Sequence, residues 1–282
     1  MPDADKLAGE IEDREMAQKY IVPGLQRGLQ ILRAFSRDRT EIGAPEIAKE
    51  LGIPRSTVFR LMQTLEFMGF IERAKNSSEY RLGVGVLSLG FEYFASLEFT
   101  ELARPILEKL RDDTGFSAHL VIRDGWDVVF VLKAAAKDTF SNSVNVGLRL
   151  PAHSSILGRM LLADLSAVEL KQVFPEGKLS KFSDQTPTTL AEMSKLLDED
   201  RKRGCAIGAS YFQNGIGSIS AQIKDNSHRV VAAINVIYHD STVKRSDVEG
   251  KYLKRVLQAA GEISRLLDYH PGSIDGNTGN YP

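Results

Sequence analysis

The chain has 282 residues, of which 43% are hydrophobic and 26% charged, and its formal net charge is −1. This is the composition of a soluble globular protein with one large or two ordinary domains. The single cysteine excludes intrachain disulfides and cysteine-rich zinc sites. No apolar run reaches the roughly 18 residues of a membrane helix, and no signal-peptide pattern opens the chain. We therefore expect a cytoplasmic protein without a membrane partner.

Charge is unevenly distributed along the chain. Residues 1–20 carry six acidic and three basic side chains, whereas residues 21–82 carry ten basic and seven acidic ones. The first stretch has weak apolar periodicity and is predicted to be a flexible N-terminal extension. The second is mildly basic on an otherwise neutral chain, and this is typical of a DNA-binding module joined to a domain of another kind.

The basic stretch opens with a predicted helix. Its apolar residues recur at helical spacing and are Leu25, Leu29, Ile31, Leu32 and Phe35. Arg27 lies near the start of this helix, where a guanidinium could contact a phosphate.

Residues 44–68 predict two helices joined by a tight turn. In the first, Ile47, Ala48 and Leu51 form one apolar stripe. Gly52 ends that helix and Pro54 opens the next. The second helix has an apolar stripe at spacings of three and four, made by Val58, Leu61, Leu65 and Met68. This arrangement is typical of a helix-turn-helix.

The opposite face of the second helix carries groups that bind phosphates and base edges. They are Arg55, Ser56, Thr57, Arg60 and Gln63. A recognition helix enters the major groove with its N-terminal residues leading, so we predict that these side chains contact double-stranded DNA. The alternative is a solvated helix face with no ligand.

Two short strands follow the predicted recognition helix. Residues 69–73 and 80–82 flank a polar turn, so they predict the hairpin of a winged helix. Arg73 and Lys75 lie in this wing and are predicted to contact the DNA backbone or minor groove.

Residues 83–99 are assigned to a linker and dimerisation helix. The helix pattern over 82–97 is apolar on more than one side, as expected of a helix that packs twice.

A second domain is predicted from residue 100. Helices are expected over 102–114, with Pro105 in the first turn, and over 151–163, 165–174, 188–203 and 248–267. Strands are expected over 117–122, 127–134, 143–146, 216–223 and 229–238. The segment after Gly204 is expected to be a loop, and Trp126 is expected to pack in its hairpin. The resulting fold class is α+β, with helices on a mainly antiparallel sheet that can hold a pocket.

The predicted organisation is therefore an extension at 1–20, a winged helix-turn-helix at 21–82, a linker at 83–99, a second domain at 100–269 and a disordered tail at 270–282.

Four motifs resemble the IclR family of bacterial transcription regulators. Residues 28–32 (GLQIL) are similar to its opening helix, and residues 53–65 (IPRSTVFRLMQTL) closely resemble its recognition helix. Residues 80–83 (YRLG) resemble the end of its wing. Residues 158–163 (GRMLLA) resemble a family helix that usually has Lys where this chain has Arg159.

Within the family, residues 99–105 and 146–159 are similar to the regulators of aromatic-acid degradation, the protocatechuate and 4-hydroxybenzoate branch of the β-ketoadipate pathway. The resemblance implies a ligand-responsive regulator of a catabolic operon that forms homodimers pairing into tetramers. It also implies a GAF-like effector domain that takes a small organic, aromatic acid.

The resemblance also implies the residues that line the effector pocket. Ile156 and Leu157 would contribute through their backbone at a helix start, where free N–H groups suit a carboxylate. The other lining residues would be Gly208, Ile216, Ser218, Asn235 and Ile237. The chain departs from the family at Gly217, where Arg is common.

Other chemistry has weaker signals. The five histidines have no metal-ligand spacing, and neither a metal nor a cofactor is predicted. His153 is notable only because it precedes the pocket helix, and Cys205 has no base beside it in sequence. The alternative function is an enzyme whose C-terminal domain acts on a small acid. No nucleophile, base and oxyanion arrangement supports it, and we predict a non-enzyme.

Overall fold

The computed structural model describes residues 19–36, 38–75, 77–96, 98–137, 144–210 and 212–268. The chain divides into two compact units between Ser96 and Glu98. Most of the predicted extension and all of the predicted tail lie outside the described residues. The domain boundaries assigned from the sequence stay predictions.

The first unit contains four helices and one hairpin among its described residues. They are α1 (Pro23–Arg33), α2 (Ala44–Leu51), α3 (Arg55–Phe67), β1 (Ile71–Arg73), β2 (Tyr80–Leu82) and α4 (Gly85–Ser96). Gly52 ends α2 with a left-handed φ of 63°, as the sequence predicts. β1 and β2 pair antiparallel, and Ile42 adds two backbone hydrogen bonds of 2.9 Å to Tyr80.

The core of the first unit corrects two predicted stripes. On α3 the buried side chains are Val58, Met62 and Leu65, whereas Met68 is 58% exposed. The predicted stripe is confirmed at Val58 and Leu65 and at Leu61, which is partly buried against the core. It is wrong at Met68, which lies beyond the end of the helix. On α1, Ile31 is buried while Leu25 and Leu29 are exposed.

The second unit is a six-stranded antiparallel sheet with helices on both faces. Its elements are α5 (Glu98–Thr114), β3 (Ser117–Asp124), β4 (Asp127–Ala134), β5 (Arg149–Pro151), α6 (Ile156–Leu162), α7 (Ala167–Val173), α8 (Leu190–Arg203), β6 (Cys205–Ala209), β7 (Ile216–Lys224), β8 (Val230–His239) and α9 (Leu253–Leu266). The strand order is β5-β4-β3-β8-β7-β6. α5 packs on β3 and β4, α9 packs on β7 and β8, and α6 contacts five of the strands.

Several predicted elements of this unit are wrong. The strand predicted over 143–146 is absent from its described residues 144–146, and the strand that pairs with β4 is Arg149–Pro151 instead. Gly147 takes φ 86° and turns the chain between the two positions. The segment predicted as a loop after Gly204 forms the edge strand β6. Its small residues carry little strand propensity of their own.

Two helix starts and one side chain also differ from expectation. α5 begins at Glu98, so Pro105 lies in the helix interior and not in its first turn. α6 begins at Ile156 because Ser155 caps it by accepting a 3.0 Å hydrogen bond from the Gly158 N–H. Trp126 does not pack in its hairpin, since it is 61% exposed.

α6 is fixed in place from two sides. A Cβ on Gly158 would overlap the Ala152 carbonyl, so only glycine fits this contact. Arg159 forms a bidentate ion pair with Asp200 on α8, with Nη2–Oδ1 of 2.6 Å and Nε–Oδ2 of 2.7 Å. Both side chains are buried. A planar guanidinium suits this geometry better than the family's usual lysine.

We predict that Arg159→Ala lowers the free energy of unfolding by about 3–5 kcal/mol, because it leaves the Asp200 carboxylate buried without its partner. Urea denaturation of purified protein measures the loss. Arg203→Ala is the control, since its 3.9 Å contact with Glu199 is exposed and should contribute less than about 1 kcal/mol. Equal losses for the two variants would contradict the assignment.

Candidate functional site

The exposed face of α3 carries two arginines that form no ion pair within the described part of the chain. Arg55, Ser56 and Arg60 are exposed, and Thr57 is half-buried. Among the described residues, no ion pair involves Arg55, Arg60 or Lys75. Such uncommitted groups are available for phosphate oxygens and base edges.

Two of the side chains predicted to contact DNA also take part in a cluster that joins α3 to the wing. Gln63 Nε2 donates to Glu66 Oε2 at 2.8 Å and to the Tyr80 hydroxyl at 3.3 Å. Arg73 pairs with Glu66 at 3.4 Å and lies 5.4 Å from the centre of the Tyr80 ring. Arg27 is half-buried on α1.

The second unit holds a cavity of about 340 Å³ between α6 and the sheet. All seven residues implied by the resemblance line it. The remaining lining residues are ones that the resemblance does not imply: His119, Phe130, Val144, Leu148, Leu150, Ser155, Phe212 and Gln213. The structure thus collects the seven residues at one place, while their contact with an effector stays a prediction.

Strand alternation explains why these residues meet. Ile216 and Ser218 are two apart on β7, and Asn235 and Ile237 are two apart on β8, so each pair faces the same side of the sheet. The other four strands add His119, Phe130, Leu150 and Gly208. The wall is therefore built by long-range strand pairing.

Three polar side chains form a hydrogen-bonded relay in the cavity wall. His119 Nδ1 lies 3.1 Å from Asn235 Oδ1, directly across the β3–β8 pairing. Asn235 Nδ2 donates to Ser218 Oγ at 2.9 Å. Burial lowers the pKa of His119 to about 4, so its imidazole is neutral near pH 7. Sequence reasoning missed His119, because only the strand register places it beside Asn235.

Gly217 faces away from this cavity. Its neighbour across the pairing is Tyr238, whose ring would overlap a Cβ at position 217. Tyr238 is buried and packs on Phe116. Glycine stands at position 217, where arginine is common in the family, and the Tyr238 ring fills the space that a side chain would need on this face of the sheet.

His153 and Cys205 lie outside the cavity lining. His153 Nε2 donates to the Ser180 carbonyl at 2.9 Å, and the residue lines a separate cleft that also includes Trp126. Burial raises the pKa of the Cys205 thiol, which favours the protonated, unreactive form. Within the described parts of the chain, no group of three His, Cys, Asp or Glu side chains could hold a metal ion.

The described helices include none that is long and apolar enough to cross a membrane.

Comparisons with known proteins agree with this two-part organisation. Residues 24–75 match the IclR helix-turn-helix domain, and residues 91–265 match the bacterial transcriptional regulator IclR C-terminal domain.

The chain is 30% identical over 253 residues to the HTH-type transcriptional regulator XynR of Escherichia coli (strain K12), which covers 88% of this chain and 98% of that one. It is 28% identical over 244 residues to the Pca regulon regulatory protein of Pseudomonas putida, covering 86% and 83%.

Among solved structures, the fold matches an IclR homolog from Microbacterium hydrocarbonoxydans complexed with 4-hydroxybenzoate. The TM-score is 0.76 at 23% identity, over 87% of this chain and 99% of that one.

The relatives reported above are named as regulators and not as enzymes. The helix-turn-helix, the cavity-bearing second unit and the family matches agree, and the chain belongs to the IclR family of DNA-binding transcriptional regulators.

Proposed function

We propose that the protein is a ligand-responsive regulator of a catabolic operon that binds operator DNA through α3 and senses a small aromatic acid in the α6 cavity. The observation that carries the proposal is the cavity, in which apolar walls surround the Ser218 hydroxyl. The relatives whose names refer to the Pca regulon and to 4-hydroxybenzoate support an aromatic acid. A cytoplasmic location is part of the proposal, since the operator is there.

The apolar walls suit an aromatic ring. Ile156, Leu157, Ile216 and Ile237 line the cavity together with Phe130. Its volume of about 340 Å³ is at the lower end of the range for small-molecule sites. A compact ligand of one ring fits this size better than an extended one.

The polar groups suit the acid's oxygen atoms. None of the described lining residues is Lys or Arg, so a carboxylate would depend on neutral donors. Ile156 and Leu157 begin α6, and N–H groups in the first turn of a helix have no helical acceptor. Ser218 is the third donor, provided that its hydroxyl proton faces the cavity.

The relay supports that orientation of Ser218. Within the described structure, His119 Nε2 is buried without a hydrogen-bond partner. A buried N–H left unpaired is rarer than an unpaired acceptor, so we place the proton on Nδ1. Nδ1 then donates to Asn235 Oδ1, and Asn235 Nδ2 donates to Ser218 Oγ. The Ser218 proton is left for an acceptor on the ligand.

Exposed apolar residues support a homodimer. α1 leaves Leu25 and Leu29 more than half exposed, and α4 does the same with Leu87 and Leu89. Large apolar side chains concentrated on two helices mark surfaces that other proteins cover. We propose that a second copy covers them and that dimers pair into tetramers. The side chains of residues 91 and 93–96 of α4, which the sequence also assigns to this role, lie outside the described part.

Two measurements test the proposal. A gel shift against DNA upstream of the protein's own gene tests operator binding, and a missing specific band would contradict it. A thermal-shift screen with 4-hydroxybenzoate, protocatechuate and short aliphatic acids tests the effector, because a ligand that binds only folded protein raises the melting temperature. No shift with any aromatic acid would contradict the sensing half.

We predict that Arg60→Ala weakens binding to the upstream DNA by about 5- to 150-fold, since one lost arginine contact to DNA costs about 1–3 kcal/mol. Sedimentation should show an unchanged oligomer. Arg245→Ala is the control, because Arg245 is exposed on the second unit and paired with Glu249. Equal affinity of wild type and Arg60→Ala would exclude Arg60 from the interface.

We predict that His119 makes stability depend on pH. The imidazole has a pKa of about 4 in the folded protein and about 6.5 when unfolded. As the pH falls below about 6.5, the unfolded state takes up the proton first. The stability present above that pH is therefore lost as the pH falls to about 4, by about 3 kcal/mol in all.

His119→Phe should flatten this dependence in urea titrations between pH 6.5 and 4. An unaltered slope in His119→Phe would show that the folded imidazole is not held neutral.

We predict that Asn235→Ala abolishes the ligand-induced thermal shift and leaves DNA binding intact, because Ser218 loses the group that orients it. Ser218→Ala should behave in the same way. Ser220→Ala is the matched control, since Ser220 bonds to the Ile234 carbonyl and lies outside the cavity lining. A full ligand shift in Asn235→Ala would remove Asn235 from the site.

A further inference from the structure

The recognition helix α3 exposes a large aromatic side chain in its N-terminal half. Phe59 is 51% exposed, while its neighbours Val58 and Met62 are fully buried in the core of the first unit. Phe59 is also absent from the side chains that pack around that core. Its ring therefore contributes little to the fold of this unit.

The surroundings of Phe59 are cationic and polar. At 3.6 residues per turn, Arg55 and Ser56 lie one turn before it on the same side of the helix. Arg60 follows it directly and is exposed. Neither Arg55 nor Arg60 forms an ion pair with another described residue. The ring thus lies between guanidiniums that suit phosphates, and this charge complementarity favours DNA over an apolar protein surface.

The wing leaves the ring uncovered. Gln63, one turn further along α3, is drawn toward Glu66 and Tyr80, and Arg73 is held by the same glutamate. These contacts keep the wing cluster at the C-terminal half of α3. An occupant from outside the unit can therefore reach Phe59.

The major groove offers one apolar group to such a ring. Base edges there present hydrogen-bond donors and acceptors, and the only apolar projection is the 5-methyl group of thymine, which phenylalanine can contact. Phe67 is more exposed still, at 93%, but it ends α3. Recognition helices lead with their N-terminal residues, so Phe59 and not Phe67 is placed to read a base.

We propose that Phe59 is a specificity-determining residue that reads a thymine methyl group in each operator half-site. The inference rests on the proposed binding of DNA through α3. It adds that part of the operator's sequence is recognised without a hydrogen bond, through burial of one methyl group against the ring.

The test compares upstream DNA prepared with thymine against the same fragment prepared with uracil in its place, which lacks only the 5-methyl groups. Fluorescence anisotropy at one fixed salt concentration gives both affinities. For wild type we expect weaker binding to the uracil fragment, by about fourfold per half-site, from the burial of one methyl-sized group. Phe59→Ala should bind the thymine fragment more weakly and should not distinguish the two fragments.

Two further variants isolate the ring. Phe59→Leu keeps an apolar side chain and should retain part of the preference for thymine. Phe67→Ala removes the other exposed phenylalanine of α3 and should retain all of it. Both positions are exposed, so melting curves should match wild type and separate a lost contact from a lost fold.

Several outcomes would overturn the inference. Equal binding of both fragments by wild type would do so directly. A preference that persists undiminished in Phe59→Ala would assign it to the altered stiffness of uracil-containing DNA. A wild-type protein that binds neither fragment specifically would overturn the proposed DNA binding together with this inference, whereas the first two outcomes leave that binding intact.

Discussion

The packing of α6 against one face of the sheet is the interaction on which the cavity of the second unit depends. All seven residues of α6 are buried, so the helix lies between the sheet and α8. Gly158 allows it to approach the Ala152 carbonyl, and Arg159 ties it to Asp200. Because the helix is held on both sides, its first turn stays at the edge of the cavity. The same packing that buries α6 therefore leaves Ile156 and Leu157 lining the cavity.

Alternate residues of the strands in the cavity wall face opposite sides of the sheet. On β7, Ser218 faces the cavity, while Gly217 faces the Tyr238 ring on the other side of the sheet. On β8, Asn235 faces the cavity and Val236 is buried on the other side. A substitution in these strands consequently faces either the α6 side of the sheet, part of which lines the cavity, or the helical layer behind it, according to the parity of its position.

Local signals in the sequence were enough to predict the helix-turn-helix. The end of α2 at Gly52 and the apolar spacing within α2 and α3 depend on residues that are close in the sequence, and the structure shows both features. Ile216 and Ser218 were implied as pocket residues by the family resemblance, and the structure places both in the cavity lining. By contrast, β6 was missed because its small residues gain their strand conformation from pairing with β7. His119 was missed for the same kind of reason, since 116 residues separate it from Asn235.

The ion pairs that charged residues form in the folded protein could also not be predicted from their neighbours in the sequence. From the sequence, both Arg60 and Arg73 are predicted to contact DNA. In the folded unit Arg73 is paired with Glu66 and lies over Tyr80, whereas Arg60 has no ion-pair partner among the described residues. Moving Arg73 onto DNA would cost the contacts that hold the wing to α3, but moving Arg60 would cost none of them. Affinity for DNA is therefore expected to depend more on the first two turns of α3 than on the wing.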